Sequence, residues 1–555
     1  MARDPLAAIT TVATPQTRPV PGRAGQVRNN AGGYVFARDL WERLEDFLVL
    51  GTAGGTFYLG EEALTAANTD VLFDAIREDS RRVVGLAVDV SASKPPRAVK
   101  NRTALFALAA VSALGDPDGV QAVKAALPKV ARTTDHLSMF YGYRKQLRGK
   151  TTPRGTGPVA SRAFRSTLAG WFLAADVDDV AWRACKARQR KTPAGEDFSL
   201  LDALRTAHPY AATAEQRTLF GWLAGNIDGR EAAAVLPVVG RFLAASAVST
   251  EAEAVTAVTG LRVPWEFLPS RFLTSPKVWE ALAGTVGMTA LLRNLGRMTR
   301  IGTLGAYQPA NATVVRRLTD AAALGEARIH PMDVFLALRV YSSGVTQPNP
   351  NEAPHTWNPV GEISDALEEA YSLSFGYTPP TGRRLIVAVD SSGSMSSTWG
   401  HSVTMGGSPL GKPYEIACAV AAQIKRIEGG NAHIIDVDTV ARNSRVTART
   451  NLREIASWHA SGGGTDLSLP FTYAAQHDLT VDGFVVLTDG ETWAGRQHAF
   501  QALDGYRRRC NPAARVVVAT MAATGHTIGD PGDPGVLNVA GMDAALPKVI
   551  TGFIR

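Results

Sequence analysis

Between about Tyr34 and Phe375 apolar residues recur at i, i+3, i+4 and i+7, the spacing that lines one face of an α-helix. The segments DLWERLEDFLVL, ALTAANTDVLFDAIRED, RTALFALAAVSAL, GVQAVKAALPKVA, STLAGWFLAA, LLDALRTAHP, TAEQRTLFGWLAG, PMDVFLALRVYSS and EISDALEEAYSLSF all show it. KVWEALAGTVGMTALLRNLGRM and TVVRRLTDAAAL each read as one further helix. Most are bounded by Gly, Pro, Ser or Asp, which stop or cap helices. So many short helices with no β alternation between them predict an α-solenoid of antiparallel pairs, and no fixed sequence period appears, so the repeats are irregular. At about residue 381 the pattern changes. RRLIVAVD, AHIIDVD, GFVVLTDG and RVVVATM are short, nearly continuous apolar runs separated by the helical patterns PYEIACAVAAQIKRIE, LREIASWH and RQHAFQALDGYRRR. Buried parallel strands alternating with helices predict a doubly wound α/β domain.

Length agrees with several units, since 555 residues exceed what one hydrophobic core supports. We divide the chain into a flexible basic tail over 1–26, a helical domain over 27–380 and an α/β domain over 381–555. The tail holds Pro5, Pro15, Pro19 and Pro21 among small polar residues and offers little apolar surface to bury. Apolar residues at 45% and charged residues at 20% exclude wholesale disorder, and Cys185, Cys418 and Cys510 are too few and too scattered for a disulfide scaffold or a zinc site. Neither a signal-peptide core nor an uninterrupted apolar stretch of about 18 residues is present, so a cytoplasmic protein with no membrane partner is expected.

The formal charge of +7 is unevenly placed. From Arg97 to Arg205 there are 19 Lys plus Arg against 9 Asp plus Glu, a net of +10, which leaves −3 for the remainder. Residues from His136 to Arg190 contribute 11 basic against 3 acidic side chains, interleaved with Phe140, Tyr141, Tyr143, Phe164, Trp171 and Trp182. Arg144 and Lys145 fall in this stretch. Two readings fit it: a surface for a polyanion such as RNA, or a solvated basic face. Arg293, Arg297 and Arg300 recur at i, i+4 and i+7 opposite Leu291, Leu292, Leu295 and Met298, a second basic stripe that either caps carbonyls and pairs with acidic neighbours or is left free for a polyanion.

The first predicted strand of the α/β domain ends in Asp390-Ser391-Ser392-Gly393-Ser394, farther on comes Gly464-Thr465-Asp466, and another strand closes in Thr488-Asp489-Gly490. Carboxylates of Asp390 and Asp489 with hydroxyls of Ser392, Ser394 and Thr465 suit Mg²⁺ or another hard divalent cation, which takes near-octahedral oxygen ligands. The set resembles the metal-ion-dependent adhesion site of von Willebrand factor A domains, with all five positions matched in order. Asp436, Asp438 and Asp466 are either outer acceptors around it or plain surface groups. Gly406-x-x-x-x-Gly411-Lys412 opens like a phosphate-binding loop, but Pro413 stands where Ser or Thr would ligate Mg²⁺ and no strand precedes it. Nucleotide hydrolysis is therefore not expected. Neither serine lies in Gly-x-Ser-x-Gly, which argues against a hydrolase nucleophile.

Asn30-Ala31-Gly32-Gly33-Tyr34-Val35-Phe36, Phe47-Leu48-Val49-Leu50-Gly51-Thr52 and Gly54-Gly55-Thr56-Phe57-Tyr58 resemble the opening of the TROVE module of Ro 60 kDa proteins. Met288 to Met298 and His330-Pro331-Met332-Asp333-Val334-Phe335 resemble later parts of it. The likeness runs from about residue 27 to the C-terminus. It implies a monomeric ring of HEAT-like helical repeats closed by the A domain, binding small noncoding Y-like RNA on its outer basic surface. It further implies uptake of single-stranded 3′ ends of misfolded or decaying RNA into a central hole, and cooperation with a 3′ to 5′ exoribonuclease. By the same resemblance Lys186 and Arg190, at i and i+4, and His208 contribute to Y RNA binding; a buried, internally satisfied His208 is the alternative. The linker KTPAGED is longer than is usual in the family, and Arg148 to Pro158 replaces its Gly-Trp-Gly-Arg passage with a basic, breaker-rich loop that either touches phosphates or is a solvated insertion.

The leading expectation is thus a noncatalytic RNA-binding protein of RNA quality control. A metal-dependent protein-adhesion scaffold with an incidental basic face is the runner-up. A nuclease built on Asp390 and Asp489 fits less well, because that site is rich in hydroxyls and lies outside the basic half.

Overall fold

In the computed structural model, which describes residues 13–51, 61–98, 100–149, 161–189, 200–346, 353–396, 403–405 and 408–555, the apolar stripes become helices. They are α1 (Leu40–Leu50), α2 (Glu61–Ala92), α3 (Arg102–Leu114), α4 (Pro117–Val130), α5 (Thr134–Gly149), α6 (Arg162–Ala174), α7 (Val177–Gln189), α8 (Leu200–Ala207) and α9 (Ala214–Ala224). They continue as α10 (Gly229–Val235), α11 (Pro237–Ser246), α12 (Glu251–Leu261), α13 (Pro276–Ala283), α14 (Met288–Arg300), α15 (Ala310–Leu318), α16 (Ala321–Glu326), α17 (Pro331–Ser343) and α18 (Gly361–Ser374). Several of their starts are set by side-chain caps: Asp39, Asp116, Ser161 and Thr213 accept from the first-turn amides of α1, α4, α6 and α9. Two expected single helices are divided. Gly284 to Gly287 separate α13 from α14, and Asp320, capping Ala323, separates α15 from α16. Helices α5, α10, α11 and α12 lay outside the expected set; in α10 and α12, Ala and Val of GREAAAV and EAEAVTAVTGL blur any apolar stripe.

Along the first half each helix packs on its successor or on the helix after that: α2 on α3 and α4, α3 on α5, α4 on α6, α6 on α8. That alternation makes two layers of helices around a shared apolar seam. The array then returns to its beginning. The Arg328 guanidinium donates to the carbonyls of Ser91 (2.6 Å) and Ser93 (2.8 Å), and the His330 ring lies 3.2 Å from the carbonyl of Arg97. Among the described residues no helix is long and apolar enough to cross a membrane.

The second unit is an α/β domain, as expected from residue 381 onward. Ahead of the helices lie β1 (Gln26–Arg28) and β2 (Tyr34–Ala37), and between α17 and α18 the short pair β3 (Val345–Thr346) and β4 (His355–Thr356). The domain itself holds β5 (Leu385–Asp390), β6 (Val403–Met405), β7 (Ser408–Gly411), β8 (Ala432–Val437), β9 (Ala441–Asn443), β10 (Gly483–Thr488), β11 (Arg515–Thr520), β12 (His526–Thr527) and β13 (Val536–Ala540). Its helices are α19 (Pro413–Glu428), α20 (Leu452–Ile455), α21 (Leu469–Gln476), α22 (Ala499–Arg509) and α23 (Leu546–Ile554). Six strands form one sheet in the order β13-β11-β10-β5-β8-β9, parallel except for β9. Alternate residues of β5 serve different faces. Val387 and Val389 belong to a core continuous with that of the helical array, whereas Ile386 and Ala388 join Phe484, Val486 and Tyr506 on the far side.

The α/β domain grips both ends of the array. Arg97 pairs with Asp543 (2.7 Å) and with Glu45 of α1, while Arg339 of α17 pairs with the buried Glu415 of α19, and Arg453 pairs with Asp365 of α18 (2.9 Å). The flexible tail expected over 1–26 is corrected for residues 13–26. This segment lacks a core of its own but borrows one: Val20 is buried, and Arg23 pairs with Asp530 and lies over the rings of Phe36 and Phe500. Residues 1–12 lie outside the described residues.

Candidate metal centre and candidate nucleic-acid interface

Parallel strands deliver Asp390 and Asp489 to the same sheet end, because β5 and β10 are neighbours in register from Leu385↔Gly483 to Val389↔Leu487. Beyond them the chain turns sharply, and the Asp390 carboxylate accepts from the Ser392 amide (2.9 Å) and the Thr488 hydroxyl (2.6 Å). The Ser392 and Ser394 hydroxyls are 3.1 Å apart, and Ser394 bonds Asp489. Thr465 is buried on the facing loop, which is tied in by Gly393 N–H to the Gly463 carbonyl (3.2 Å) and Trp493 N–H to the Thr465 carbonyl (3.0 Å). Both carboxylates are buried, and burial pushes Asp390 above the usual carboxylate range. Asp489 is pushed up to about 8, by burial first, then by the charges of Asp390 and Glu491. Two adjacent buried carboxylates that oppose each other's ionisation, edged by hydroxyls, form a hard-oxygen set that a divalent cation would neutralise. Among the described residues no group of three or more His, Cys, Asp or Glu is placed to hold a metal, so hydroxyls must complete any such set.

The other acids near this end have separate tasks. Asp438 takes hydrogen bonds from Ser461 (2.6 Å) and Arg442 (2.8 Å), and Ser461 in turn meets Ser391 (2.8 Å), so Asp438 braces the loops from behind. Asp436 receives the Tyr414 hydroxyl and Asp466 receives Ser468.

On α14, Leu291, Leu292, Leu295 and Met298 are buried, while Arg293, Arg297 and Arg300 are exposed on the opposite side. Lys100 and Arg102 at the start of α3 join this stripe. Burial, then Arg102 and Arg293, hold the Lys100 ammonium below its ordinary value, and burial followed by Arg300 does the same to Arg297. The half-buried Asp333 is pushed up to about 6 by the partial loss of solvent, against the pull of Arg293 and Lys100. Cations therefore crowd together where the start of α3 meets α14.

On α7, Lys186 lies 3.4 Å from Glu266 and along the Trp182 ring. With Arg183, Trp265 and the first turn of α14 it lines a cleft of about 480 Å³. His208 follows α8 in left-handed backbone (φ 44°) and is exposed, so the alternative of a buried histidine is excluded. Lys145 is exposed on α5. Arg144 is corrected: it is buried, donates to Ser112 (3.0 Å) and Ser161 (3.2 Å), and stacks 3.9 Å over Phe164, so it holds α5, α3 and α6 together and offers no charge to a ligand. Arg190 and residues 150–160 and 191–199 lie outside the described residues.

Residues 142–354 match the TROVE domain and residues 384–554 match the Ro60 vWA domain. The chain is 36% identical to "RNA-binding protein RO60" of Deinococcus radiodurans over 555 residues, covering 99% of each. It belongs to the Ro60 family. A Caenorhabditis elegans protein of the same name is 28% identical, covering 96% of this chain and 90% of its own. The crystal structure of the Deinococcus radiodurans RO (RSR) protein superposes with a TM-score of 0.67 at 34% identity, covering 93% of this chain and 99% of that one.

Three features of this Ro60-family chain lay beyond the sequence reading. Lys100 meets Arg293 only because residues near 97–100 pack against the helices that follow Met288. Tyr210, two residues after His208, is 89% exposed, a large aromatic left in solvent beside the candidate RNA contact. Glu491 is fully buried next to Asp489 and is held by the N-terminal segment.

Proposed function

We propose that the protein is a noncatalytic RNA-binding protein that holds small structured noncoding RNA of the Y type on its outer basic face. Single-stranded 3′ ends of misfolded or decaying RNA pass along the α14 stripe, and the complex serves RNA quality control alongside a 3′ to 5′ exoribonuclease. The reading is carried by one observation: the exposed guanidinium row of Arg293, Arg297 and Arg300, joined by Lys100 and Arg102 across the closing junction. Guanidinium groups pair with phosphates and stack on bases, so such a row tolerates many sequences. The names of both relatives as RNA-binding proteins support it. Mg²⁺ or a similar cation held by Asp390, Ser392, Ser394, Thr465 and Asp489 belongs to the A domain's own role in partner binding or domain order. Competition between a hairpin RNA with a single-stranded 3′ extension and the same hairpin made blunt tests the proposal.

A further inference from the structure

The loop after β10, residues 489–495, has two working sides. One side carries Asp489 and fastens Thr465, whose carbonyl accepts from the Thr492 hydroxyl and from the amides of Trp493 and Ala494, each at 3.0 Å. The other side is gripped by residues more than four hundred positions earlier. Asn29 donates to the Thr492 carbonyl (2.8 Å), Asn30 donates to the Glu491 carboxylate (2.7 Å), and the Ala31 amide donates to the same carboxylate (3.1 Å). The Gln16 amide donates to the Gly495 carbonyl (2.9 Å). His526, whose strand pairs with β2, closes the cage 3.3 Å from Glu491. The fit leaves no slack, since a Cβ on Gly33 would overlap the Thr492 carbonyl oxygen.

The same segment leads straight into the helical array. Arg38, directly after β2, donates its amide to the Gly525 carbonyl (3.1 Å), and its guanidinium forms an ion pair with Asp46 of α1 (2.7 Å), both side chains buried. A rigid path thus runs from Asp489 and Thr465, through the loop and the β1–β2 hairpin, to the first helix.

We infer that the hairpin of residues 26–37 is a clasp whose docking is thermodynamically linked to cation binding at the A-domain site. Docked, it fixes Asp489 and Thr465 with respect to Asp390; a cation held by those residues would resist the loop movement that undocking requires. Linkage is reciprocal, so the factor by which undocking weakens the cation equals the factor by which the cation protects the hairpin. Asn29, Asn30 and Gly33 are positioning residues in this scheme and touch no cation themselves. The inference rests on the metal reading above.

The experiment uses the full chain and Mn²⁺, whose free aquo ion is counted by electron paramagnetic resonance. Gly33→Ala should weaken Mn²⁺ about tenfold, and Asn30→Ala, a milder change that keeps the backbone, about threefold. In the wild type, saturating Mn²⁺ should slow hydrogen exchange of amides 26–36 by a comparable factor, and Asp390→Ala should abolish that protection. A merely structural hairpin would lose exchange protection in the variants without moving the Mn²⁺ affinity; that result, with the wild type binding Mn²⁺, overturns the inference and leaves the metal reading standing. A wild type that binds no Mn²⁺ at millimolar concentration overturns the metal reading, and the linkage with it.

Discussion

Arg328 and Ser91, 237 positions apart, are joined by a 2.6 Å hydrogen bond that brings the far end of the helical array back to its beginning. Arg328 is itself in left-handed backbone (φ 55°), following the turn that ends α16. Arg132 also reaches the Ser91 carbonyl (3.2 Å), so the loss in Arg328→Ala falls mainly on Ser93. Losing a hydrogen bond from a charged donor to a half-buried carbonyl costs about 1.5–3 kcal/mol. Hydrogen exchange should therefore accelerate at residues 91–98 and 328–334 and stay unchanged in α9 to α12. Uniform acceleration would mean that the contact does not close the array.

His330 stands at the same junction and gives it a pH dependence. Its Nδ1 accepts from the Met332 amide (3.0 Å) and so caps α17, which leaves Nε2–H to donate to the Arg97 carbonyl. Burial lowers its pKa to about 4, the backbone carbonyls of Arg97 and Met542 pulling the other way. Between the free value near 6.5 and about 4 the unfolded chain binds more protons than the folded one, so this group's contribution to stability falls as pH falls through that window. His330→Asn keeps a helix-capping side chain but removes the titration. The gap in stability between wild type and His330→Asn should narrow on going from pH 7 to pH 4.5, read by chemical denaturation; a constant gap would show that His330 does not titrate there.

Lys186 faces the cleft beside α14 but already has Glu266 at 3.4 Å. If it neutralises one RNA phosphate, Lys186→Ala should flatten the log-log salt dependence of RNA binding by about 0.7–0.9. Tyr210→Ala should weaken binding through lost stacking, about 1–3 kcal/mol per base, without changing that slope, and Tyr210→Phe should restore it. A slope untouched by Lys186→Ala would move the outer RNA face elsewhere.

The candidate cation site lies in the neutral A domain. Asp390→Ala should abolish Mn²⁺ binding while RNA affinity stays within about threefold, under about 1 kcal/mol. Release of RNA by chelation from a folded protein would put the cation in the RNA site instead.

Much of this was legible because periodicity is local. The row Leu291, Leu292, Leu295 and Met298 against Arg293, Arg297 and Arg300 is written in spacing alone, and so is the pairing of Asp390 and Asp489, since each ends an apolar strand. Arg144 was misjudged by charge, although it continues the buried face of Leu137 and Phe140 at i+7 and i+4, a signal that spacing did contain. Residues 13–26 were misjudged because a segment with no core of its own gives no hint of a distant one. Asn30 meeting Glu491 and Lys100 meeting Arg293 depend on contacts between segments far apart in the chain, which no local pattern specifies.

The central claim is that the α14 stripe takes single-stranded RNA. The most direct measurement compares affinities for a hairpin carrying a 3′ single-stranded extension and for the same hairpin made blunt, with the wild type and with Arg293→Ala combined with Arg297→Ala. The wild type should prefer the tailed RNA by at least tenfold, and the double variant should lose that preference while binding the blunt hairpin normally. Equal affinity of the wild type for both RNAs, or an undiminished preference in the double variant, would contradict the account.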